Sequence, residues 1–243
     1  MTLFLVLVAV VAVVAGAIAS VSGFGIGSLL TPLLAVRVGT KLAVAAVSIP
    51  HLAATGFRFW IMRKQVDRRL LLSFGLMSAA GGLAGALLHA YADNPALTIV
   101  FGCLLTFTGV MSLTGLSEEL RFRGWVAWVA GGVSGALGGL VGNQGGIRSA
   151  AMLGFDVPKH AFVATATAVG VIVDGARVPV YLVIQGEEVA GLSPFLVTAT
   201  VGTLIGTVAG EPVLRRLPEA LYRRLVAGVV LALGVFMLFR VGQ

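Results

Sequence analysis

GNQGGIRS, residues 142–149, interrupts a run that is otherwise Ala, Leu, Val and Gly. Asn143, Gln144 and Arg148 share those eight positions with Gly142, Gly145 and Gly146. Burying an amide without a partner costs ~2–7 kcal/mol, and an isolated charge far more. Two readings follow. Either the stretch is a loop at a membrane surface, with Arg148 snorkelling to lipid phosphate, or it is polar at depth because the function requires polarity there. The surrounding chain has to decide between them.

The chain has 243 residues, 58% hydrophobic and 11% charged, with a mean hydropathy of +1.02. A soluble domain carries about 25% charged residues. Apolar runs near the ~20 residues that cross a bilayer recur from end to end. The expected class is therefore all-α and polytopic, with the lipid bilayer as surroundings and no separate soluble domain. The 33 glycines suit helices that pack closely in lipid. The net charge of +7 sits mostly in short loops such as RKQVDRR, 63–69, and the pairs Arg215–Arg216 and Arg223–Arg224. That is the pattern of membrane orientation rather than of nucleic-acid binding. Cys103 is the one cysteine, so no intramolecular disulfide forms. His51, His89 and His160 show no metal-ligand spacing, and no cofactor motif is present. GFGIGS contains Gly-x-Gly but follows no strand and opens no βαβ unit, so it does not read as a dinucleotide-binding motif. No Ser/His/Asp or Glu-xx-His arrangement argues for an enzyme. The start, MTLFLVLVAVVAVVAGAIAS, lacks a basic n-region and is too long for a signal-peptide core, so it is read as the first membrane segment.

The chain repeats itself. Val14-Ala15-Gly16 recurs as Val129-Ala130-Gly131, Gly27 meets Gly145, and Lys41-Leu-Ala meets Lys159-His-Ala. Gly56-Phe57-Arg58 matches Gly175-Ala176-Arg177, and Gly81-xxx-Gly85 matches Gly202-xxx-Gly206. Each half, 1–120 and 121–243, reads as a Gly-broken segment, at 2–36 and 126–155, followed by three helices. Those helices are expected at 40–61, 70–91 and 95–116, and at 159–184, 191–211 and 219–240. An acidic turn, QGEEVAG, is expected at 185–191.

Loop charge bears on whether the broken segments cross. If each crosses once, seven basic residues fall on each side. If each dips in and returns, the four at 63–69, Arg121, Arg123, Lys159 and the four at 215–224 share one side, eleven against Arg37, Lys41 and Arg240. Only the second arrangement obeys the positive-inside rule. Three crossings per half then make the halves two inverted repeats within one integrated membrane domain. Carriers of that construction bind substrate where broken helices meet near the midplane.

On this reading the opening stretch is the tip of one dip. Irregular backbone survives at membrane depth only where protein buries it or a cavity adjoins it. Asn143, Gln144, Gly145, Gly146 and Arg148 would face the other tip, where Gly25, Gly27 and Ser28 offer N–H groups and a hydroxyl. Arg177, with Arg58 at the matching position, adds fixed positive charge, and Asp174 lies one turn before Arg177. The expected ligand is a small anion. Asp174 and His51 are the titratable groups placed to carry a proton; His51 reads equally as a packing or pore-lining histidine, and Asp174–Arg177 as a static ion pair.

GFGIGSLLTP (23–32), GNQGGIRSAAMLGF (142–155) and the Lys-x-Ala runs after each resemble the sulfite exporter TauE/SafE family over essentially the whole chain. The resemblance implies a bacterial inner-membrane permease moving small sulfur-containing anions such as sulfite, sulfonates or thiosulfate. The second motif departs from the commoner pattern: Asn143, Gln144 and Arg148 make it more polar, and it has no proline. The expectation is a secondary carrier, an exporter working by alternating access, with a homodimer as one assembly open to it. An anion channel and a non-transporting membrane assembly partner are the alternatives.

Overall fold

The computed structural model describes residues 2–116, 122, 124–152, 155, 157–214 and 218–241, and every regular element among them is helical. In lipid this follows from the backbone, whose polar groups must be satisfied within each segment. The main helices are α1 (Thr2–Ser22), α2 (Ile26–Met62), α3 (Arg68–Tyr91), α4 (Asn94–Thr114) and α5 (Trp125–Val141). They continue as α6 (Gly145–Met152), α7 (Lys159–Ala190), α8 (Ser193–Leu214) and α9 (Glu219–Phe239). Seven of the described helices are long and apolar enough to cross a membrane, and α5, at 17 residues, is shorter. The chain is a multi-pass membrane protein. The connections holding Arg121, Arg123, Arg215 and Arg216 lie outside the described residues, as does the expected boundary at 120–121.

The breaks fall at Gly23–Gly25 and Gly142–Gln144. After the first, the chain turns back along α1. Gly25 sits on Ile18, and the Arg37 guanidinium lies 4.1 Å from the centre of the Phe4 ring, so the return limb ends beside the start of α1. After the second, Phe122 and Phe155, flanking α5 and α6, pack against one cluster that includes Leu70 and Phe74 at the start of α3. The open end of the first hairpin meets the other end of α3, where Lys41 Nζ donates to the Ala90 carbonyl at 2.7 Å. The two open ends thus lie at opposite ends of α3.

Contacts recur between the halves. α1 packs along α8 and α5 along α3, while α2 packs on α7 and α4 on α9. α2 and α7 run antiparallel, since Arg58 bonds Thr167 while His51 bonds Asp174. Gly16 presses on the Thr203 carbonyl and Gly135 on the Ser78 carbonyl: a Cβ would come within 2.2 and 2.0 Å. Gly206 lies over Val13 as Gly81 lies over Gly132.

In these contacts Gly16 and Gly135 take like positions, as do Gly81 and Gly206, one turn from the matches Gly131 and Gly202 expected from the sequence. Small residues recurring every four positions look alike after such a slip, because positions i and i+4 share a helix face. Contact geometry removes the ambiguity.

The expected division between a limb ending near 36 and a helix over 40–61 falls at Gly39 (φ 80°, ψ 160°), where non-helical backbone separates two helical stretches within Ile26–Met62. Asn94 Oδ1 accepts the Lys41 N–H at 2.8 Å, filling the position that helical backbone leaves open there. The expected helix end at 184 coincides with a break at Gln185, and the acidic stretch beyond it runs helically to Ala190 rather than as a turn. The departure is confined to Gln185 (φ −131°), whose amide lies 3.3 Å from His89 Nε2.

Candidate functional site between the two hairpin tips

The tips touch. A Cβ on Gly27 would fall 2.6 Å from the Gly142 carbonyl, and one on Gly145 would fall 2.1 Å from Phe24 Cβ. Each tip is made by a glycine with positive φ, Gly23 (80°) and Gly142 (75°), whose N–H closes the preceding helix onto Ala19 and Gly138 at 3.0 Å. Other residues avoid this left-handed backbone. Asn143 Nδ2 then donates to Ser28 Oγ at 3.1 Å, tying the second break to the first turn of α2. α2 begins with no side-chain cap, leaving its first amides to the tip. Gln144 folds back on Gly138, and Ser134 Oγ donates to its carbonyl at 3.3 Å. Gly146 falls in the first turn of α6.

A cavity of about 10 Å³, room for about one water molecule, remains at this junction. Its wall includes Gly25, Gly27, His51, Asn143, Gln144, Gly145, Arg148 and Arg177. Ser28 stands behind the wall, holding Asn143. Sequence reasoning missed Gly23, Phe24 and Gly142, which also line it. A Gly-rich break does signal a tip, but which of its glycines takes positive φ depends on where the preceding helix ends.

Arg148 is 3% exposed and donates through Nη2 to the Gly23 carbonyl at 2.8 Å. Its Nε has no hydrogen-bond partner, and no carboxylate among the described residues lies within ion-pair distance. Gln144 Oε1 is likewise buried and unpartnered. Arg177 differs. It holds Asp174 through Nε and Nη2 at 2.9 and 2.7 Å, and donates through Nη1 to the Gly138 carbonyl at 2.7 Å. Asp174, wholly buried, also bonds His51 Nδ1 at 2.6 Å and so meets the cavity through that ring. Arg58 does not line the cavity. It bonds the Ala19 carbonyl and, at 2.9 Å, Thr167 Oγ1.

Arg148 is thus a buried guanidinium between two hairpin tips, with no carboxylate among the described residues within ion-pair distance. The family model of the sulfite exporter TauE/SafE family matches residues 8–237. The chain belongs to the sulfite exporter TauE/SafE family. Of the two stretches that carry the resemblance, 23–32 forms the first tip and the start of its return limb, and the described residues of 142–155 form the second tip and α6. Searches of curated proteins and of solved structures return no match.

Proposed function

We propose that this TauE/SafE protein is a secondary carrier in the bacterial inner membrane that exports a small sulfur-containing anion, sulfite or an organosulfonate, by alternating access. The observation that carries the reading is Arg148, a buried guanidinium with an unclaimed Nε and no described carboxylate within ion-pair distance, lining the junction of the tips. An oxyanion supplies the missing acceptor, and a charge-assisted bond of this kind is among the strong ones. Asn143 and Gln144 would orient its oxygens, and the amides of Gly25, Gly27, Gly145 and Gly146 would add donors at helix starts. Arg177 contributes from the wall while remaining paired with Asp174.

The halves are read as inverted repeats, which the recurring contacts of α1 with α8 and α5 with α3 support. The cavity admits about one water, so a four-atom oxyanion needs the tips to part. Moving hairpins fit that need better than a standing pore, which favours a carrier over a channel. A negative-inside potential drives an anion outward by ~2.3 kcal/mol per charge per 100 mV, so export needs no coupled ion. Uptake would need one, and the His51–Asp174 pair is the proton carrier proposed for it.

The test is flux in proteoliposomes across sulfite, sulfate, thiosulfate and short sulfonates, with and without a pH gradient. Saturable flux of at least one of them, lost in Arg148→Gln, is expected. No flux and no thermal stabilisation by any of them would remove the transporter reading.

A further inference from the structure

Arg58 was expected to bind the anion, yet its surroundings describe another task. The residue it grips and the residue Arg177 grips correspond. Ala19 and Gly138 each accept a tip glycine's N–H, from Gly23 and Gly142, and each also accepts an arginine, Arg58 or Arg177. All three pairs are separated by 119 residues (138 less 19, 142 less 23, 177 less 58). Tyrosines from two different helices, outside this correspondence, add to the same helix ends, Tyr222 donating to the Ile18 carbonyl and Tyr181 to that of Gly139. A helix C-terminus gathers partial negative charge on its last carbonyls, and a guanidinium offers several donors in a fixed plane to meet it.

Both arginines are also linked to the opposite half: Arg58 bonds Thr167 on α7, and Arg177 holds Asp174, which grips His51 on α2. Arg58 is 7% exposed and stands off the cavity wall. Four residues past Ala19, the Gly23 carbonyl receives Arg148. The chain of contact therefore runs from Thr167 through Arg58 to the end of α1, and through Gly23 to the guanidinium facing the cavity.

From this we infer that Arg58 is a positioning residue: it fixes the first hairpin tip against α7, sets where Gly23 presents its carbonyl to Arg148, and does not touch the transported anion. The inference rests on the reading of the cavity as an anion site, and its test includes one readout that needs no substrate. Sulfite flux in proteoliposomes is measured for Arg58→Met, Arg58→Lys, Thr167→Val and the Arg58→Met/Thr167→Val double variant. Arg58→Met is expected to lower the maximal rate about tenfold or more, as small misplacements do, with KM within about twofold. Thr167→Val, which changes no charge, should move the rate in the same direction, and the double variant should be no worse than Arg58→Met, as partners in one contact behave. Arg58→Lys should recover only part.

A KM raised about tenfold at an unchanged rate, restored by Lys, would assign Arg58 to the anion and overturn the inference. So would a silent Thr167→Val, which carries the test if Arg58→Met does not fold. Independently of substrate, Val21→Cys in a Cys103→Ala background reports the tip through its thiol-labelling rate. Faster labelling on adding Arg58→Met or Thr167→Val is expected, and an unchanged rate in both overturns the inference even if no anion is transported. Flux that survives Arg148→Gln would instead indict the anion site while leaving the labelling result to judge Arg58.

Discussion

The two hairpins share a scaffold and differ in chemistry. Each rises on a helix ending at a left-handed glycine, presents its last carbonyls to an arginine and a tyrosine, and meets its fellow tip to tip. The first tip is nearly all backbone: Gly23, Phe24 and Gly25, with Ser28 one turn on. The second carries Asn143, Gln144 and Arg148 within six residues. Their return limbs diverge too. The first continues through a capped kink at Gly39 to Met62, whereas α6 ends at Met152 and α7 begins at Lys159. Recurrent packing builds the junction, and departures from recurrence give it a charge and a direction of hydrogen bonding. One hairpin supplies carbonyls and amides, and the other supplies the cation they surround.

Removing the chemical difference should have the largest effect. Arg148→Gln takes away the unpaired charge and is expected to cut anion flux about a hundredfold or more, since charged contacts at a desolvated site are worth several kcal/mol. Isothermal titration and flux would both read it. Breaking the shared scaffold comes next. Leu at Gly16 or at Gly135 would drive a side chain into the Thr203 or Ser78 carbonyl. Each should lower thermal stability by about 1–3 kcal/mol or prevent assembly, and the two by similar amounts if the halves are packed alike. A large inequality in detergent melting would show that likeness of contact is not likeness of load.

Asn143→Ala sharpens the tip comparison. It removes the bond to Ser28 and a cavity-facing amide, and flux should fall about tenfold, the scale of one buried hydrogen bond. Ser28→Ala breaks the same bond from the other side while leaving the amide on the wall, so its effect should be smaller. The smallest expected change is at the kink. Asn94→Ala removes the cap on Lys41 N–H and should cost about 1 kcal/mol of stability, measured by denaturation in detergent. Flux should be nearly unchanged, because Asn94 is remote from the tips.

Much of this was legible in the chain. Apolar runs separated by basic loops fix a helical membrane protein, since lipid offers the backbone no other partner. Asn143, Gln144 and Arg148 declared themselves by the cost of burying them, and the spacing of Asp174 and Arg177 gave their pairing. Arg58 shows the limit. It shares its repeat position with Arg177, yet it lies off the cavity wall that Arg177 joins and bonds Ala19 and Thr167 instead. The glycine register shows another limit, in which a one-turn slip preserves the pattern of small residues.

By itself the sequence determined the class, the two breaks and the residues too polar to bury idly, because hydropathy and desolvation act on each segment alone. Tertiary structure alone decided the meeting of the tips, the partners of each arginine and the turn of helix on which each glycine pairs. Those depend on close packing between segments far apart in the chain, where an error of one turn leaves composition unchanged and moves every contact.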